Sequence, residues 1–193
     1  MIKPRDYDNV QASTYGDAEL NAPVPGGHGV TILKAETGKD DYGDKLVLYF
    51  DIKEGSESDG YYKAKYERAK SYGDDAKWQG IFNQYIFTKD GQTNPFFKGL
   101  ISSIEKSNPG YTWSWQEEML KGKKLGLIFR EEKFYGKKDG LLHSVVRPAW
   151  ACDWDSYEAI PAPKPKEPKE PKNTAPLFET EMTPNDDDDD LPF

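Results

Sequence analysis

The chain has 193 residues, 36% hydrophobic and 13% aromatic, which suits one domain with a buried core plus appended segments. The net charge of −8 argues at first against binding to nucleic acid. The negative charge, however, lies in residues 151–193, which carry 4 Lys against 12 Asp and Glu. Residues 61–138 carry 15 Lys and Arg against 9 Asp and Glu, so the middle of the chain is locally basic. A single cysteine excludes an intramolecular disulfide framework. The N-terminus is polar and no apolar run is long enough to span a membrane, so the sequence predicts a cytoplasmic protein.

The first 27 residues predict an arm that ends in a turn, because Pro23-Val24-Pro25-Gly26-Gly27 interrupts regular structure. After this turn, alternating apolar residues predict strands over 30–36 and 45–52. Residues 61–70 fit either a short basic helix or an irregular excursion between strands. Strand character returns at 81–87.

A helix is predicted next. Asn94-Pro95 is a typical helix start, apolar residues then recur every three or four positions, and Asn108-Pro109-Gly110 ends the pattern. Two strands follow, over 125–130 with an extension to residue 135 and over 141–150, joined by a glycine-flanked hairpin turn.

The order of these elements is three strands, one helix and two strands. It predicts a mainly β domain over residues 28–160, with an antiparallel five-stranded sheet and one helix between strands 3 and 4. The five-stranded barrel of the OB fold has this order, and its helix closes one end of the barrel.

Beyond residue 160 the composition changes to one that cannot form a core. Residues 161–184 are rich in Pro, Lys and Glu and predict a disordered linker, which begins as a polyproline II spacer. Residues 185–193 follow as an acidic tip, whose aspartates must stay solvated while its apolar end can fill a small pocket with a basic rim. The predicted partner-binding residues are Asp186, Asp187, Asp188, Asp189, Asp190, Leu191, Pro192 and Phe193.

This tip resembles the acidic C-terminal tip of single-stranded-DNA-binding proteins, in which acidic residues precede an apolar residue, Pro and a final Phe. The stretches Phe97-Lys98-Gly99, Ile104-Glu105-Lys106-Ser107-Asn108 and Leu120-Lys121-Gly122-Lys123 are similar to the single-strand-binding proteins of phages and mobile elements. The resemblance implies an OB-fold protein of the bacterial cytoplasm that coats and protects ssDNA during replication, recombination and repair. It also implies that the tip recruits helicases, polymerases, primases or recombination mediators, and it is compatible with a homo-oligomer.

Aromatic and basic residues interleave through the middle of the chain. An aromatic ring can stack on an unpaired base for ~1–3 kcal/mol, and Lys or Arg beside it can contact phosphate. The candidate ssDNA-binding residues are Tyr61, Tyr62, Lys63, Lys65, Tyr66, Arg68, Trp78, Tyr85, Trp113, Trp115, Lys121, Lys123, Lys124, Arg130, Phe134, Tyr135, Lys137 and Lys138. Only alternate residues of a strand share a face, so some aromatic rings must pack in the core. Phe82 and Phe129 are favoured for the core, and Tyr85, Trp113 and Trp115 fit either role. The hairpin from Phe134 to Lys138 is the favoured DNA contact.

Enzyme motifs are missing from the sequence. It has no phosphate-binding loop, no Gly-x-Ser-x-Gly, no His-Glu-x-x-His and no Cys pair, so no catalysis, cofactor or metal is expected. His28 and His143 suit structural roles, and Cys152 suits an inert or surface thiol. Two other functions fit: a single-strand-annealing recombination protein, and an acidic DNA-mimic interaction module that occupies a nuclease or repressor.

Overall fold

A computed structural model describes residues 3, 5, 22–53, 55–73, 75–136 and 139–168. These residues form a five-stranded antiparallel sheet with two α-helices, in the strand order β3-β2-β1-β4-β5. The elements are β1 (Gly26–Asp40), β2 (Gly43–Ile52), α1 (Tyr61–Tyr72), β3 (Ile81–Tyr85), α2 (Pro95–Ser107), β4 (Lys124–Tyr135) and β5 (Leu142–Cys152). The prediction of a mainly β chain with a five-stranded antiparallel sheet is confirmed, and α2 lies between β3 and β4 as expected. The sheet is open, with β3 and β5 as its two edge strands.

Of the two alternatives left open for residues 61–70, the short basic helix is confirmed: α1 lies between β2 and β3 and is a second helix beside the one predicted between strands 3 and 4. Its sequence gives a weak helix signal: Gly60 at the N-cap has no side chain to cap the first turn, and only Tyr62 is buried. The cap comes instead from β2, where the Asp51 carboxylate accepts hydrogen bonds from the backbone N–H groups of Tyr62 and Lys63, each at 3.0 Å. A cap supplied from another element leaves no local mark in the sequence.

The core lies between one face of the sheet and α2. Alternate residues of β2, from Leu46 to Ile52, point into it, as the period of two requires. Helix α2 begins as predicted, with the Asn94 side chain accepting from the Phe96 N–H at 2.9 Å and Pro95 in the first turn. Phe82 and Phe129 are 5% and 0% exposed, so their assignment to the core is confirmed.

The predicted turn at Gly26 and Gly27 was wrong, because both residues belong to β1 and pair with Phe129 and Ile128 of β4. The glycines serve close packing here: a Cβ on Gly27 would overlap the carbonyl oxygen of Tyr157. The residues after β5 thus pack against the start of β1, which a local turn signal does not reveal.

Strands β4 and β5 continue past the rest of the sheet. β1 pairs with β4 only from Lys124 to Phe129, whereas β4 and β5 stay paired as far as Tyr135 and Leu142. The outer halves of β4 and β5 therefore form a two-stranded ribbon. We call this ribbon the hairpin, meaning residues 130–136 and 139–147.

Candidate nucleic-acid interface

A cleft separates the two edge strands of the sheet. It has a volume of about 650 Å³, and α1 supplies part of its wall. We call it the seam cleft; its lining includes Tyr61, Lys65, Ile81, Asn83, Val145 and Arg147. Its walls thus combine aromatic, aliphatic, amide and cationic side chains from α1, β3 and β5.

A second cavity of about 460 Å³ lies along the hairpin. Phe134 and Tyr135 line it, together with Val145 and Arg147, which also line the seam cleft. Because these two residues line both cavities, the cavities adjoin along β5, between α1 and the hairpin. We call the two adjoining cavities together the seam groove.

The seam groove presents aromatic rings to solvent. Phe134 and Tyr135 are 43% and 46% exposed, although large rings are normally buried. Phe134 is stacked on His143, with ring centroids 5.7 Å apart and ring planes 27° from parallel. At the other end, the Lys65 ammonium lies 5.4 Å from the centroid of the Tyr61 ring. The hairpin end therefore pairs an exposed ring with an imidazole, and the α1 end pairs a half-buried ring with an ammonium group. Both pairs combine a ring that could stack on a base with a nitrogen-bearing side chain.

Helix α1, which supplies Lys65 to the wall of the groove, is basic. Lys63, Lys65, Arg68 and Lys70 are exposed on α1, against one acidic residue, Glu67. An exposed cluster of this kind attracts anions.

The hairpin end has mixed charge. Arg130 lies 3.0 Å from the Glu132 carboxylate and 4.8 Å from the centroid of the Trp150 ring. Partial burial alone would raise the pKa of Glu132, but Arg130 and Lys166 together hold it below its ordinary value. Glu132 is therefore a paired carboxylate, and it offsets part of the positive charge at this end.

Tyr62 was predicted to contact DNA, but it is 6% exposed and belongs to the core. Its ring meets Phe50 edge-on with centroids 5.3 Å apart, and burial raises the pKa of its hydroxyl. Burial likewise raises the pKa of the Asp51 carboxyl, against the effect of three backbone N–H donors. Tyr62 and Asp51 therefore position α1, and with it Tyr61 and Lys65, and Tyr62 is also one of the residues that line the seam cleft.

Tyr66 and Trp78, two more of the predicted contacts, pack against each other with ring centroids 5.7 Å apart. The indole N–H of Trp78 donates to the carbonyl oxygens of Phe50 and Gly80 at 3.2 and 3.1 Å. Both rings are half-buried, and their contacts tie α1 to the sheet.

Trp113 and Trp115 form a separate aromatic cluster against α2. Their centroids are 4.7 Å apart, and Trp113 also meets Phe97 edge-on. The sequence left open whether each ring packs in the core or contacts DNA. In the structure Trp113 is half-buried and Trp115 is 73% exposed. Trp115 has φ 63°, a left-handed conformation that is costly for a residue with a Cβ.

The remaining predicted residues are dispersed. Lys123 and Lys124 line another cavity together with Tyr111. The Lys123 ammonium lies 4.2 Å from the centroid of the Tyr111 ring, and the Lys124 ammonium lies 5.2 Å from the centroid of the Trp154 ring. Tyr85 is half-buried and donates to Asp40 at 3.0 Å, and Lys121 is exposed. Lys137, Lys138 and the tip residues 186–193 lie outside the described residues.

Arg147 is one of the groove residues that were not predicted from the sequence. The sequence did contain an indication that the strand carrying Arg147 is an edge strand. Pro148, inside the predicted strand 141–150, has no N–H to donate to a neighbouring strand, and such a residue favours an edge position. Val145 and Arg147 share one face of that strand, and an open edge leaves both available to a cleft.

Other reactive side chains have structural surroundings. His28 Nε2 lies 2.8 Å from the carbonyl oxygen of Val24, and burial raises the pKa of the Cys152 thiol to about 11. Within the described part of the chain, no group of three or more His, Cys, Asp or Glu side chains is placed to hold a metal ion. No helix formed by the described residues is both long enough and apolar enough to cross a membrane.

A scan against protein-family models found no match, and a search of curated proteins found no similar sequence.

Proposed function

We propose that this chain is a single-stranded-DNA-binding protein without catalysis, and that the seam groove is its DNA site. The observation that carries the proposal is the continuity of the groove: Val145 and Arg147 join a cleft beside a basic helix to a cavity lined by exposed aromatic rings. Stacking on rings and charge contacts to phosphate need no particular base order, so the binding has little sequence preference.

Single-stranded DNA suits this groove better than duplex. Tyr61 and Phe134 both line the groove, and a base can stack on such a ring only when it is not paired in a duplex. In a duplex the bases are stacked inside, and the phosphates alone would face the protein. A groove specialised for duplex would therefore have little use for the exposed rings.

The sheet itself is best interpreted as an OB barrel that is open along the seam cleft. The position of α2 between β3 and β4 supports this interpretation, and so do the edge strands β3 and β5, which meet across one cleft. OB folds bind oligonucleotides on strands 2 and 3 and with the loop between strands 4 and 5. The seam groove is built from comparable elements, namely β3 and the hairpin, together with α1.

The acidic tip has a separate role in this proposal. Asp186 to Asp190 and the Leu-Pro-Phe that follows serve as a ligand for replication or recombination proteins, with Phe193 as the anchor. Deleting Phe193 leaves every aspartate in place, so ssDNA affinity should stay unchanged while capture of a helicase or polymerase by the immobilised protein should be lost. Retention of that capture would reduce the tip to a solubilising tail.

A fluorescence titration of the full chain with a labelled oligothymidine and with a duplex of equal length tests the main proposal. We expect tighter binding of the single strand and an affinity that falls steeply between low and high salt. Equal affinity for both ligands, or an affinity that does not change with salt, would rule out the groove as a single-strand site.

A further inference from the structure

Part of the predicted linker is docked on the sheet. The N–H of Lys166 donates to the Glu131 carbonyl at 2.8 Å, and the Lys166 carbonyl accepts from the Lys133 N–H at 2.9 Å. These bonds form a parallel bridge between Lys166 and Glu132 on the edge of β4 that faces away from β5. Residues 164–168, which we call the docked segment, thus cover backbone groups that would otherwise be an open strand edge.

Side chains reinforce this docking. Lys133 lies 3.0 Å from the Glu167 carboxylate, and this hydrogen-bonded partner raises the pKa of Lys133. Lys166 lies 3.4 Å from Glu132, while its side chain stays 54% exposed. Pairs this exposed contribute little stability, so they serve mainly to set the register of the segment on the edge.

The docked segment also reaches the seam groove. Lys166, Glu167 and Pro168 line the hairpin cavity, the same cavity that Phe134 and Arg147 line. The segment is therefore a wall of the groove on the side opposite β5. With Lys164 and Lys166 against Glu167, it is net basic.

We propose that the docked segment is part of the DNA site, and that Lys166 contacts a phosphate of the strand bound in the groove. This inference rests on the proposed function and deepens it: the start of the predicted linker is a binding element. A half-exposed ammonium, held at the groove wall by its own backbone bonds, is well placed to contact phosphate without further ordering.

The sequence contains its own matched control. The tripeptide Lys-Glu-Pro occurs twice in succession, at 166–168 and 169–171, and a proline precedes each copy. Lys166→Pro removes the N–H that donates to Glu131, together with the ammonium. Lys169→Pro makes the same chemical change in the same local sequence, one repeat further along. Lys166→Gln and Lys169→Gln remove the charge alone and leave the backbone bonds possible.

The experiment measures oligothymidine affinity as a function of salt for the full-length wild type and these four variants. Lys166→Pro and Lys166→Gln should each weaken binding about fivefold at 0.1 M salt and lower the slope of log K against log[salt] by about 0.7, the effect of one phosphate contact on a single strand. The two Lys169 variants should bind like the wild type. Normal wild-type binding with equal affinities for the Lys166 and Lys169 variants would overturn this inference and leave the proposed function standing.

Hydrogen exchange of the free wild type tests the docking without DNA. The Lys166 amide should exchange much more slowly than the Lys169 amide, because it is hydrogen-bonded to Glu131. Equal exchange rates would overturn the docking and the inference with it. Absence of ssDNA binding by the wild type would overturn the proposed function and this inference together.

Discussion

Replacing Asp51 tests whether a buried carboxylate holds α1, and therefore one wall of the groove, in place. Its side chain accepts three backbone hydrogen bonds at 2.9 to 3.0 Å, from Ile52, Tyr62 and Lys63. Loss of a helix-capping side chain costs about 0.5–2 kcal/mol, and a buried N–H left without a partner costs about 1–3 kcal/mol. The Asp51→Ala variant should therefore lose about 2–3 kcal/mol of unfolding free energy, or about 6–9 °C in Tm for a domain of this size.

Urea unfolding followed by circular dichroism measures this loss. Asp51→Asn should fall between the wild type and Asp51→Ala, because an amide keeps one oxygen acceptor but turns a donor toward another N–H. The control is Asp90→Ala, which removes an exposed carboxylate from a turn. If Asp51→Ala lost no more stability than Asp90→Ala, the capping role would be wrong, and so would the explanation of why α1 forms.

Three further outcomes are expected. Arg147→Ala should lower the slope of log K against log[salt] for ssDNA binding by about 0.7. The control Lys39→Ala removes an exposed lysine near the turn between β1 and β2 and should leave this slope unchanged. Equal slopes for the two variants would place Arg147 outside the site. Replacing Lys137 and Lys138 together with Ala should lower that slope by about 1.4 if both contact phosphate, with circular dichroism unchanged, and an unaltered slope would exclude them from the groove. Trp115→Gly should be more stable than Trp115→Ala by about 1 kcal/mol in urea unfolding, because glycine adopts the left-handed conformation of that residue without strain; the opposite order would contradict it.

The strands and α2 could be predicted because their signals are local. The alternation in β2 and the Asn94-Pro95 start of α2 depend on neighbouring residues and on two fixed periods. The burial of Phe82 and Phe129 follows from the same alternation. These features need no knowledge of which strands pair.

The groove could be predicted only in part, because it depends on contacts between distant residues. Tyr61 and Arg147 line one cleft because the order of the strands leaves β3 and β5 as the two edges, which no local pattern reveals. The burial of Tyr62 could not be predicted for a similar reason: adjacent aromatic residues on a helix face different sides, and only the packing of α1 shows which ring is buried.

The docking of Lys166 could not be expected either. A proline-rich composition predicts an extended chain, and an extended chain is also what adds to a strand edge. β1 stops pairing with β4 at Phe129, so the edge of β4 beyond this residue is open. The extended chain docks on this open edge instead of staying in solvent.

If single-stranded DNA occupies the seam groove, titration of the full chain with a short oligothymidine should change the backbone amide chemical shifts of the groove residues. The largest changes should cluster at Tyr61, Lys65, Phe134 and Arg147, and the shift of Trp115 should change little. Changes centred on Trp115 and α2, or no saturable change anywhere, would contradict this occupancy.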